Sequence, residues 1–158
     1  MPPNPFAPPG ADVADVDAAR PPMPLSVRRA CQLVIASLAL GCIAALTDIG
    51  RPRADGSEIT FAFGLAYFAL VIGLTLWLTL AVVRGKGWSR WVMLLFLAPT
   101  WWLGATNLNE DFLRSPLVGA LTVVSIAIEV VACWLLFTGT GARWFAALAA
   151  LRAERTRP

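Results

Sequence analysis

Hydrophobic and polar positions divide the chain into four long apolar blocks separated by short polar connections. Residues 30–47, 59–83 and 91–109 contain no Asp, Glu, Lys or Arg, and residues 115–142 contain only Glu129. A helix rising ~1.5 Å per residue needs about 20 mainly apolar residues to cross about 30 Å of hydrocarbon, and each block is long enough. No alternation of period two runs through the blocks, which argues against a β-barrel and leaves helices as the way to satisfy the backbone in lipid. The pattern predicts an all-α membrane protein with spans at about 30–49, 60–83, 91–108 and 116–138. Short connections make successive spans antiparallel neighbours, so an up-down-up-down four-helix transmembrane bundle is expected over residues 28–141.

The flanks differ in kind. Eight of the twelve prolines fall within the first 24 residues, and residues 1–27 are expected to form a disordered cytoplasmic tail. Pro2, Pro5 and Pro8 form overlapping Pro-x-x-Pro units there, a pattern most simply read as solvated chain. In residues 142–158, Trp144, Phe145, Leu148 and Leu151 alternate with Arg143, Arg152 and Arg155. That arrangement predicts a short interfacial helix and tail on the cytoplasmic surface. Ala39, Leu40, Gly41 and Cys42 faintly resemble a lipoprotein cleavage box, but the basic region before them is too long and the box is out of order. A retained first span is expected.

Charge orients the bundle. Of the 13 basic residues, ten lie in the amino-terminal segment (Arg20, Arg28, Arg29), the connection after span two (Arg84, Lys86, Arg90) and the carboxyl end (Arg143, Arg152, Arg155, Arg157). The other two connections hold Arg51, Arg53 and Arg114 together with Asp48, Asp55, Glu58, Glu110 and Asp111. Positive charge is retained in the cytoplasm, so both termini are expected there. Trp88, Arg90 and Trp144 are expected to anchor the cytoplasmic interface, and Trp101, Trp102, Phe61 and Phe112 to lie near the opposite one.

Composition supports this placement and removes several chemistries. Hydrophobic residues make up 58% and charged residues 15%, and mean hydropathy is +0.67, the balance of a membrane protein. There is no histidine, which excludes imidazole metal sites and histidine-based triads. Cys31, Cys42 and Cys133 sit inside apolar runs and do not make a disulfide framework or a zinc site. The net charge of +3 belongs to the span flanks rather than to a solvated basic face, so nucleic acid is not an expected partner. Neither metal nor cofactor is expected, and the outer-face polar residues match no calcium loop.

Glu129 is the outstanding candidate, because an ionisable residue inside a span costs about 2.5 kcal/mol or more to insert. Gly119, Thr122, Ser125, Glu129, Ala132 and Cys133 recur at steps of three and four, which places a small and polar face toward the bundle interior. Glu129, Ser125 and Thr122 therefore form the candidate intramembrane polar site. Two readings are open: a carrier of protons or cations, or a structural carboxyl bonded to a neighbouring span, with Thr75, Thr79 or a free carbonyl as partner. Pro99 interrupts span three, frees the carbonyl of Leu95 and is a hinge candidate, with Thr100 beside it. Ser37, Gly41 and Ala45 in span one, and Ala62, Ala66, Ala69 and Gly73 in span two, are expected to let those two helices pack closely or to support a homo-oligomer.

Two local patterns carry a resemblance. Gly85, Lys86, Gly87, Trp88, Ser89 and Arg90 follow the order Gly, basic, any, Trp, small, Arg. Leu135, Leu136, Phe137 and Thr138 are followed, five residues on, by Trp144 and Phe145. Together they resemble small four-span bacterial inner-membrane proteins of unknown function, with Gly139 where those proteins commonly carry a proline. The resemblance implies architecture and a bacterial origin, without an activity. The resulting expectation is a non-enzymatic accessory or assembly component acting through helix contacts with the bilayer, another membrane protein or its own copies. The alternative is a small proton- or cation-coupled transporter or channel using Glu129.

Overall fold

The computed structural model describes residues 21–49 and 58–155. These form five helices: α1 (Leu25–Ile49), α2 (Glu58–Val83), α3 (Gly87–Arg114), α4 (Pro116–Phe137) and α5 (Gly139–Arg155). Four contain stretches long and apolar enough to cross a membrane: Leu25–Leu46, Gly64–Val83, Gly87–Leu113 and Pro116–Phe137. The chain is an all-α, multi-pass helical bundle, as the hydropathy pattern predicts. The Pro-rich segment expected to be disordered lies, through residue 20, outside the described residues.

Two boundaries depart from expectation. Helix α1 begins at Leu25, inside the predicted tail, because Val27 is fully buried and the Arg28 amide already donates to the Pro24 carbonyl at 3.2 Å. Helix α3 runs on through Glu110 and Asp111 to Arg114, so that Ser115 alone joins it to α4. Charge ends a hydrophobic run without ending a helix. Ser115 is extended, its amide donates to the Asp111 carbonyl at 2.9 Å, and Pro116 opens α4 where a missing amide costs nothing.

The turn between α2 and α3 is a Schellman motif. Gly85 adopts φ 70°, its amide donates to Val82 at 2.8 Å, and that of Lys86 donates to Ala81 at 3.0 Å. Between α4 and α5 the reversal depends on Gly139 at φ 55°, a region closed to proline, whose φ is held near −65°.

Helix α1 packs chiefly on α4, and α4 on α3, while α2 makes smaller contacts with α1 and α3. Of the small residues assigned to α1–α2 packing, Ser37, Gly41 and Gly73 are not pressed into that seam. Ser37 faces α4, Gly73 is exposed, and a methyl group added at Gly41 or Gly73 would meet nothing within 4 Å. Ala45 is half-buried beyond Gly41, and Ala62 lies among residues whose side chains are not described.

The close-packed core occupies one end of the bundle. Val27, Ala30 and Val34 of α1, Leu78 and Val82 of α2, Met93 and Leu97 of α3, and Ala132 and Leu136 of α4 meet Trp144, Phe145 and Leu148 of α5. Helix α5 thus closes this end with its apolar face against the bundle. Trp144 Nε1 donates to the Pro21 carbonyl at 3.1 Å, Ser26 and Thr140 share a hydrogen bond at 2.8 Å, and Arg152 donates to the Gly85 carbonyl at 2.7 Å. The three basic segments are therefore gathered at one end.

Candidate functional site

Glu129 lies in α4 one turn before Ala132 and Cys133, where the close-packed end gives way to open space. Both carboxyl oxygens are engaged. Ser37 Oγ of α1 donates to Oε1 at 2.5 Å, and Trp101 Nε1 of α3 donates to Oε2 at 2.7 Å. Indole nitrogen is a donor only, so Oε2 accepts. One carboxyl thereby links three helices from their middle turns.

Two cavities adjoin it. The first, about 160 Å³, reaches all four spans and is lined by Ser37 and Gly41, by Phe68 of α2, by Phe96 and Thr100 of α3, and by Ser125 and Glu129. The second, about 190 Å³, lies among α1, α3 and α4, with Trp101, Gly104, Thr122, Ser125 and Glu129 in its wall. Gly41, Thr100, Ser125 and Glu129 line both. Gly41, without a side chain, borders this space where α1 passes the carboxyl.

The predicted polar face is thus partly assembled. Ser125 and Glu129 share both cavities. Thr122 lines the second, but its hydroxyl lies between the Asp111 carboxylate of α3 at 3.2 Å and the Val118 carbonyl of its own helix at 3.1 Å. Thr75 and Thr79, named as partners for the carboxyl, instead donate along α2 to the carbonyls of Val71 and Thr75, each at 2.8 Å. A threonine hydroxyl within a helix readily bonds to the carbonyl one turn back. Pro99 stays within a continuous α3, and Thr100 donates to the Leu97 carbonyl at 2.7 Å, not to that of Leu95.

Two residues of the site were assigned elsewhere by sequence. Ser37 stood among small packing residues, although a hydroxyl in the middle of span one is itself a signal. Trp101 stood among interfacial aromatics, and nothing local separates it from Trp102. The structure does: Trp102 is 74% exposed, whereas Trp101 turns inward to the carboxyl.

The expected interface anchors diverge. Trp88 remains exposed and packs against Trp77, with ring centroids 5.5 Å apart. Trp144 is buried on the inner face of α5, against the bundle. The Arg90 guanidinium sits over Phe145, Phe137 and Trp91 at 5.2, 5.3 and 5.9 Å from their centroids. Its buried Nε has no hydrogen-bond partner among the described residues. The rings hold this cation by their quadrupoles, a packing role inside the basic end. Among the described residues no three His, Cys, Asp or Glu side chains come together as a metal site. No protein-family model, curated protein or solved structure matches the chain.

Proposed function

We propose that this is a non-enzymatic membrane protein, an accessory or assembly component that acts through contacts of its helices with another membrane protein. Its setting is a bacterial inner membrane with both termini cytoplasmic, a reading supported by the gathering of basic segments at one end. The observation that carries the functional reading is the three-helix tie at Glu129. A polar group occupied on both oxygens by neighbouring helices holds a bundle in one arrangement, and a fixed arrangement presents a constant outer face to a partner.

The cavities beside the carboxyl favour one other reading, a small proton- or cation-coupled transporter or channel. Native mass spectrometry of protein gently extracted from its own membranes separates the two. A foreign subunit at fixed stoichiometry is the expected result. A homo-oligomer without one, together with a proteoliposome flux abolished by Glu129→Gln, would replace the accessory reading with the carrier.

A further inference from the structure

We propose that the paired cavities at Glu129 form a binding site for a small organic ammonium ion with an apolar body. The argument concerns binding alone and stands whether or not the chain moves its ligand across the membrane. A carboxylate oxygen has two acceptor positions, and Ser37 and Trp101 occupy one on each oxygen, leaving one on each for a further donor or cation. Both present partners are neutral, and no lysine or arginine lines either cavity. The one acidic group in these walls has no basic side chain to answer it, and an ammonium ion beside the Glu129 carboxylate supplies that charge.

The remaining walls define what surrounds that charge. Phe68 and Phe96 border the first cavity and Trp101 the second, and aromatic faces attract alkylammonium groups through their quadrupoles. Most other lining side chains are aliphatic, which selects an apolar body over a hydrated inorganic ion. Size agrees, since a cavity of about 150 Å³ holds a benzene molecule and these measure about 160 and 190 Å³. The two share Gly41 in their walls, where an added methyl encounters nothing within 4 Å, so a head group at Glu129 can be approached from either side. Ser125, facing both, offers a hydroxyl at the junction.

The test is calorimetric titration of the purified full chain in detergent with benzyltrimethylammonium and with its uncharged carbon isostere, neopentylbenzene. Saturable binding of the cation is expected, weakened at least about tenfold by Glu129→Gln and by Gly41→Leu, which places a side chain in the space that both cavities border. Glu129→Asp, which keeps the charge, should retain measurable binding if Glu129→Gln proves unfolded by circular dichroism. No saturable binding to the wild type, equal binding of the uncharged isostere, or full affinity in folded Gly41→Leu would overturn the proposal.

Discussion

A single carboxyl in a span is expensive to bury, and its cost is offset here by donors that come from two other helices. Ser37→Ala and Trp101→Phe each remove one of them. Hydrogen bonds between membrane helices couple by about 0.6 kcal/mol on average and reach about 1.7 in the strongest cases. Two donors to one carboxylate belong toward the upper end. Double-mutant cycles pairing either change with Glu129→Gln, read from unfolding in sodium dodecyl sulfate, should give couplings of about 1 kcal/mol or more. Couplings near zero would show that the tie does not hold the bundle. Thr75→Val serves as the contrast, since its hydroxyl bonds to its own helix and should show no coupling to Glu129. These partners differ although serine and threonine are chemically close, because a side chain's reach is set by the direction its helix presents it.

At the scale of elements, the junctions around α4 depend on glycine for different physical reasons. A methyl on Gly119 would lie 2.6 Å from the Phe112 ring, which is 41% exposed and can swing outward. A methyl on Gly141 would collide with the backbone oxygen of Leu135, which cannot. Gly141→Ala should therefore destabilise by about 1–3 kcal/mol in the same unfolding assay, and Gly119→Ala by distinctly less. Gly139→Pro removes the positive φ that sends α5 back across the bundle end. Trypsin should then cut faster after Arg143 and Arg152 than in the wild type, since α5 would no longer be held by Trp144, Phe145 and Leu148. An unchanged cleavage rate would mean that α5 docks independently of the turn.

For the whole molecule, the described structure has a close-packed basic end and a more open region beyond Glu129. A reporter joined after Pro158 should be active only in the cytoplasm, and activity confined to the outside would invert the bundle. Gly41→Leu should fold with its thermal midpoint preserved, because the added side chain enters existing space rather than a helix seam. Loss of folding would show that α1 lies closer to its neighbours than the cavities indicate. The chain order alone carried the helix class, the number of spans, the membrane setting and the prominence of Glu129. Hydropathy and the burial cost of a charge are sums over a few neighbouring residues, so they can be read along one dimension. Helix pairing could not be read that way. That α1 seats on α4, that Trp101 rather than Trp102 turns inward, that Ser37 answers Glu129, and that α5 closes the basic end all depend on the rotation of each helix about its axis. In helices apolar nearly all round, that rotation is settled only when the others are in place and every polar group has met its partner.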